Sequence, residues 1–320
     1  MTHAAPHSQT AAKARPGTAR DYIELLKPRI MLLVVFTALS GLVAGSSISG
    51  TPINPVLAAI SIFAVALGSG AAGAINMWYD ADIDAVMTRT AARPVPSGAV
   101  PKDEALATGL IMSGVAVLLM WMASNFIAAG LLAVSIAYYG WFYTMVLKRR
   151  TSHNIVVGGA AGAFPPVIGW AAVTGTAPLD AWLLFAIIFF WTPPHFWALS
   201  LVAHKEYEKA GIPMLPVTRG ARATRLQIFA YTLLMLPVGL APVLTGLGGW
   251  AYGVSAMILG LVFLGFAWRV LRSKAGEPTA GDAERKLAMG MFGFSILYLF
   301  GLFAVLLAEH GFGLYLPVEL

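Results

Sequence analysis

Residues 126–150 read FIAAGLLAVSIAYYGWFYTMVLKRR. From Phe126 to Leu147 no side chain carries a charge, and three basic ones follow at once: Lys148, Arg149 and Arg150. An α-helix rising about 1.5 Å per residue needs roughly 20 apolar residues to cross the hydrocarbon layer of a bilayer. The run meets that length and is continuous rather than alternating. It therefore predicts a membrane-spanning helix and not a barrel strand. Its basic end predicts the cytoplasmic side, where Lys and Arg are retained.

Eight further runs flank it. The predicted spans are 30–49, 56–76, 106–124, 126–146, 155–174, 181–201, 227–247, 249–271 and 289–309. All 21 Lys and Arg residues then fall on one side. They occupy the N-terminal tail (Lys13, Arg15, Arg20, Lys27, Arg29), the segment after span two (Arg89, Arg93, Lys102) and the turn after span four (Lys148, Arg149, Arg150). The rest follow span six (Lys205, Lys209, Arg219, Arg222, Arg225) or surround the end of span eight (Arg269, Arg272, Lys274, Arg285, Lys286). The alternate connections hold none. The pattern predicts an all-α integral protein of the plasma (inner) membrane, with nine transmembrane helices, a cytoplasmic N-terminus and a C-terminus outside.

Composition agrees. Only 11% of residues are charged, against about 25% in soluble domains. The net charge of +6 follows from the basic loops and an anionic lipid surface, and calls for no nucleic acid. Cysteine is absent, which excludes disulfides, a thiolate metal site and a cysteine nucleophile. Residues 1–20, rich in Ala, Ser, Thr and Pro, are expected to form a disordered cytoplasmic tail. No cleavable signal is expected, since the first apolar run is span length. Residues 21–320 are read as one membrane domain.

Two cytoplasmic connections are long, about 77–105 and 202–226. Each opens with acidic residues and closes on a Pro- or Gly-containing basic stretch. Their spacing suggests related four-helix units, 30–146 and 155–271, plus a ninth helix at 289–309. On that reading both connections meet over one central cavity on the cytoplasmic face. The small-residue runs Gly68–Gly73 and Gly158–Ala163 are expected to let helices approach closely. Pro165-Pro166 and Pro193-Pro194 are expected to bend their helices.

The chemically loaded segment is Asn76-Met77-Trp78-Tyr79-Asp80-Ala81-Asp82-Ile83-Asp84. Asn76, Asp80 and Asp84 lie at i, i+4 and i+8 and stack on one helix face, about 5.4 Å apart, while Asp82 faces water. Two carboxylates and an amide oxygen are hard ligands suited to Mg²⁺ with phosphate oxygens and water. The plainer alternative is a solvated helix end. Arg89, Arg93, Lys148 and Arg149 on the same side add what a diphosphate needs beyond a metal. Glu206 or Glu208, in the second connection, is placed to complete the metal site from across the cavity. His195, in an otherwise apolar span, is open to three readings: a hydrogen-bonded structural group, a haem ligand, or a base. Asp80, at the interface, is expected to support little packing, so that Asp80→Asn leaves a folded protein. Together these groups describe ionisation of an allylic diphosphate in a lipid-embedded cavity, with the carbocation shielded from water.

Asn76-x-x-x-Asp80-x-x-x-Asp84 resembles the first acidic motif of the UbiA superfamily of intramembrane prenyltransferases. Two further stretches resemble its haem-farnesylating branch. One runs from Tyr143-Thr144 through Lys148-Arg149-Arg150-Thr151 and Asn154 to Pro165-Pro166. The other is Thr192-Pro193-Pro194-His195-Phe196-Trp197, leading to Ile212-Pro213-Met214-Leu215-Pro216. The resemblance covers about residues 20–310. It implies nine helices in a bundle around a central cavity open to the cytoplasmic face and lipid. It implies Mg²⁺ as cofactor and farnesyl transfer from farnesyl diphosphate to the 2-vinyl group of haem B, giving haem O for terminal oxidases. Its implied partners include a downstream haem A synthase.

By the same resemblance, Asn76, Asp80, Asp84 and Glu206 hold the metal, with Glu208 as the alternative to Glu206. Asn76, Arg89, Arg93, Lys148 and Arg149 contact diphosphate, Asp80, Asp84 and Lys148 act in catalysis, and His195 meets haem. The superfamily's second motif is Asp-rich, whereas this chain has Glu206 and Glu208. The rival readings are another enzyme of the superfamily, acting on a quinone precursor or chlorophyllide, and a transporter. A transporter is disfavoured because the acidic motif lies at the interface and not at the midplane.

Overall fold

The computed structural model describes residues 17–318. The expectation for the tail lies outside the described residues up to position 16; Ala19 and Arg20 already belong to a short helix, Ala19–Leu25. Nine helices long and apolar enough to cross a membrane are present among the described residues. They are α1 (Pro28–Ser49), α2 (Pro55–Tyr79), α3 (Lys102–Ala123), α4 (Phe126–Leu147), α5 (Asn154–Thr174), α6 (Leu179–Lys209), α7 (Leu215–Thr245), α8 (Trp250–Arg272) and α9 (Asp282–Gly311). Each coincides with an expected span, and the protein is an integral membrane protein.

The helices are not equivalent. The apolar windows of α5 and α6 are 61% buried inside the protein, whereas that of α3 is 22% buried. α5 and α6 are therefore the inner helices, and α3, α4, α7 and α8 turn most of their surface outward. α5 packs against α1, α4 and α6; α6 packs against α5, α7 and α9; α9 returns to α1. The small residues perform the close packing expected of them. A Cβ on Gly169 of α5 would lie 1.9 Å from Ala38 O of α1, and one on Gly41 of α1 would lie 2.1 Å from Pro166 O. Gly158 and Gly159 make room for Tyr143 and Thr192. α5 runs on through Pro165, and the carbonyl of Ala161 left without its helical donor accepts from the Ser135 hydroxyl of α4 (3.3 Å).

Two local features depart from the sequence reading. The connection expected over 202–226 is largely helical: α6 continues to Lys209 and α7 starts at Leu215. Apolar windows register only the membrane-buried part of a helix, whereas backbone hydrogen bonding continues into the polar layer. α6 stops where Gly211 takes a left-handed conformation (φ 67°), with its N–H donating to Glu208 O and the Ile212 N–H to Tyr207 O. α7 breaks again at Gly220 (φ 79°, ψ 168°). Second, the last part of α4, Tyr138–Leu147, is wound as a π-helix, a geometry frequent at functional sites.

The α1–α5 contact gives a direct test. Gly169→Ala is expected to cost about 1–3 kcal/mol through overpacking against backbone. Gly162→Ala, one helix turn from the proline pair with open space around it, is expected to be neutral. Thermal unfolding of the two variants in detergent separates them, and equal stability would show that the contact does not constrain the fold.

Candidate active site

The acidic segment is bent. α2 ends at Tyr79, Asp80 adopts φ −87° and ψ 6°, and a short helix, Ala81–Val86, follows. Hydrogen bonding continues across the bend: Asp80 N–H donates to Asn76 O (3.0 Å) and Asp84 N–H to Asp80 O (2.8 Å). Asn76, Asp80 and Asp84 thus keep a common face. All three are buried, Asp80 at 0% exposure, while Asp82 is exposed.

Each carboxylate has a cation. Lys148 Nζ reaches Asp80 Oδ2 at 2.5 Å, and Arg93 donates to Asp84 Oδ2 at 2.6 Å. Arg149 forks onto both oxygens of Asp82 (2.8 and 2.7 Å), donates to Tyr79 O (3.0 Å), and lies 3.5 Å from Asp80 Oδ1. This fork holds the Asp82 carboxyl down at about 2 and raises the Arg149 guanidinium. The π-winding sets these positions. The Lys148 N–H donates to Tyr143 O, five residues back (2.9 Å), and the Thr144 side-chain hydroxyl donates to Tyr139 O (2.7 Å). Thr144 then accepts from Asn76 Nδ2 (3.1 Å) while Lys148 meets Asp80.

A further cation comes from a position the sequence reading treated as a topological anchor. Lys27, between the short N-terminal helix and α1, has φ 56°, the one described non-glycine residue with positive φ. Such a conformation costs about 1–3 kcal/mol and persists where surrounding structure enforces it. Here Gly70 leaves room for Leu26 and Gly73 for the Lys27 stem. Nζ thereby reaches Asn76 Oδ1 at 2.7 Å. Burial, then the neighbouring charges of Arg93 and Lys148, push the Lys27 ammonium down to about 7. The site is thus crowded with positive charge and suited to an anion.

Three buried polar atoms at this end have no hydrogen-bond partner: Asp80 Oδ1, Arg149 Nε and Asn154 Oδ1. Asn154 opens α5 and is tied to Lys148 O through Nδ2 (3.1 Å). An orphaned carboxylate oxygen beside a second buried carboxylate is a donor set that fits Mg²⁺. The Asn76 oxygen, expected as a ligand, is turned to Lys27, while its nitrogen donates to Asp80 (2.7 Å). Asp80 is also more embedded than expected: it anchors α2, α4 and the Lys148 turn together.

The second connection comes close without joining this network. Tyr207, Ile212 and Met214 pack on Ile83 and Met87 and on Ile155. Glu206 is half-buried and Glu208 exposed. No three His, Asp or Glu side chains among the described residues converge closely enough to hold one metal ion. Arg89 is exposed and enters no ion pair among the described residues. His195 is buried far along α6, its ring stacked between Trp191 and Phe292. A cavity of about 870 Å³ lies elsewhere. It is an apolar groove over α3 and α4, lined by residues such as Leu110, Trp121 and Phe126, and it carries no ionisable group.

Residues 34–283 match the model of the UbiA prenyltransferase family. The protoheme IX farnesyltransferase of Hyphomonas neptunium is 68% identical over 95% of this chain and 96% of its own. The fold is similar to that of a digeranylgeranylglyceryl phosphate synthase (TM-score 0.73, 16% identity, 91% of this chain and 98% of that one). It is also similar to that of a UbiA homolog from Archaeoglobus fulgidus bound to GPP and Mg²⁺ (TM-score 0.63, 15% identity, 89% and 99%).

The Asp80–Lys148 pair predicts coupled stability. Asp80→Asn is expected to destabilise by roughly 1–3 kcal/mol, below the usual cost of breaking a buried pair because Lys148 reaches water. Adding Lys148→Met is expected to recover part of that loss. Unfolding of both single variants and the double variant checks it, and strict additivity would rule the coupling out.

Proposed function

The chain belongs to the UbiA prenyltransferase family, and from that premise we propose that it transfers a farnesyl group from farnesyl diphosphate to a vinyl group of protohaem IX, giving haem O and diphosphate. The naming of its near relatives supports this acceptor. The observation that carries the reading is Asp80, fully buried with one orphaned oxygen among Lys27, Arg93, Lys148 and Arg149.

Asp80 and Asp84 would hold Mg²⁺, with Asn76 as a further oxygen donor once Lys27 turns from it. Glu206 would contribute from the end of α6, and Glu208 is the alternative. The metal, when bound, supplies neutralisation of the diphosphate oxygens. Arg93, Lys148 and Arg149 balance Asp84, Asp80 and Asp82, and Lys27, on Asn76 and with its ammonium pushed down to about 7, adds at most one positive charge. A diphosphate ester brings more negative charge than that offsets, and a divalent cation would make up the difference. With Asp80 and Asp84 holding a metal, Lys148 and Arg93 would be free to donate to the diphosphate, with Arg89 and Arg149 at the rim.

The allylic C–O bond then breaks with its electron pair leaving on the diphosphate, which Lys148, Arg93 and Lys27 hold. The farnesyl C1 cation is attacked by the terminal vinyl carbon. The new cation, adjacent to the porphyrin ring, takes up water and loses a proton, leaving the hydroxyl of a hydroxyethylfarnesyl chain. His195 is assigned to haem. The basic end is assigned to the cytoplasm, where the diphosphate is water-soluble.

Purified protein with Mg²⁺, haem B and farnesyl diphosphate is expected to yield haem carrying one hydroxyethylfarnesyl group by mass analysis, and none with EDTA. Prenylation of an aromatic acid in place of haem would keep the family and discard the acceptor. In the same assay, Asp84→Asn is expected to lower kcat/KM by about 100-fold or more. Lys27→Met is expected to raise the KM for farnesyl diphosphate by about 10-fold or more, the value of one charge-assisted hydrogen bond. An unchanged KM would remove Lys27 from the diphosphate site.

A further inference from the structure

His195 and Ser295 form a buried pair between α6 and α9. His195 Nδ1 lies 2.6 Å from Ser295 Oγ, and that hydroxyl also lies 2.6 Å from Phe292 O. A hydroxyl has one proton to donate, and a carbonyl oxygen can only accept. The Ser295 proton therefore goes to Phe292 O, and Ser295 Oγ accepts from His195. This fixes the proton on Nδ1 and leaves Nε2 a bare lone pair. No protein group among the described residues partners Nε2, and it is not among the sealed orphan atoms. The ring plane is fixed as well: Trp191 stacks on one face at 4.2 Å and Phe292 on the other at 4.5 Å. Trp191 Nε1 also donates to Ser295 O (2.6 Å), so one residue of α9 is gripped by two turns of α6.

A neutral imidazole with a donor on Nδ1, both faces packed and a free Nε2 has the form of a metal-ligating histidine with its outer hydrogen bond already made. We infer that Ser295 is a positioning residue that holds His195 in the Nδ1–H tautomer, so that Nε2 coordinates the iron of the porphyrin substrate. This rests on the haem reading above. It goes beyond it in naming the ligand atom and the residue that selects it. Coordination would fix the macrocycle about one axis, leaving its edge, where the vinyl groups lie, to be presented to the prenyl donor.

The test uses the full-length protein in detergent, titrated with ferric haem B and, separately, with iron-free protoporphyrin IX. The wild type is expected to give the Soret shift of an imidazole-ligated haem. Ser295→Ala is expected to weaken haem binding by about 10-fold or more, the usual effect of losing an outer hydrogen bond to a metal ligand. It should leave protoporphyrin IX binding unchanged, and Ser295→Thr should restore haem binding. His195→Ala should lose the ligated spectrum and regain it with added imidazole. Equal losses for both porphyrins would mean that Ser295 only packs, and an unaltered haem titration in Ser295→Ala would also overturn the inference. If the wild type farnesylates haem without a histidine-ligated spectrum, this inference falls and the function stands. If it neither binds nor modifies haem, the functional reading itself falls.

Discussion

Carboxylates buried at the edge of a bilayer set the terms for the rest of this protein. Asp80 and Asp84 are at most 2% exposed, and an ionised carboxylate in such surroundings costs several kcal/mol unless it is paired. Three elements at that end each bring a cation. The π-winding of α4 aims Lys148, and the turn before α1 adopts a strained backbone to aim Lys27. The connection to α3 folds back so that Arg93 reaches Asp84. Such pairs contribute little net stability, because desolvation offsets attraction. What they provide is a site in which each buried carboxylate already has a positive neighbour, which on the proposed function a metal would release toward a phosphate.

The glycines belong to the same arrangement. Gly73 and Gly70 lie about one and two helical turns before Asn76, and their missing side chains are where the Leu26–Lys27 turn sits. Close packing of helices in lipid, the ordinary role of small residues, is here the means by which Lys27 reaches a buried amide. Substituting Gly73 with a larger residue would act on the site through Lys27 and not through the helix itself.

The spans and the acidic face were legible because both depend on local periodicity: an uncharged run of sufficient length, and the spacing of Asn76, Asp80 and Asp84. Three parts were not. Lys27 looked like one more basic residue at a membrane boundary, since nothing local in Lys27-Pro28 announces a left-handed backbone. Thr144 and Asn154 stood in a resembling stretch with no role attached to them, and only the five-residue turn of the π-helix brings Thr144 to Asn76. Ser295, in an apolar span one hundred positions from His195, has no local signal at all. Its contact with His195 exists only because α9 packs on α6. The continuation of α6 to Lys209 was missed for a related reason: hydropathy marks where a helix meets lipid, not where its hydrogen bonds stop.

On the proposed function, α6 would join the two chemistries. His195 and Glu206 are eleven residues apart on one unbroken helix, close to three full turns, so they share a face and are separated by roughly 16 Å along the axis. On the proposed function, with His195 toward haem and the acidic end toward diphosphate, the two sites would stand apart along this helix, as the chemistry requires, because the vinyl group lies at the rim of a porphyrin and not at its iron. The macrocycle would then lie between the two ends, the polar one hydrated enough for a charged diphosphate and the apolar one excluding water from the cation.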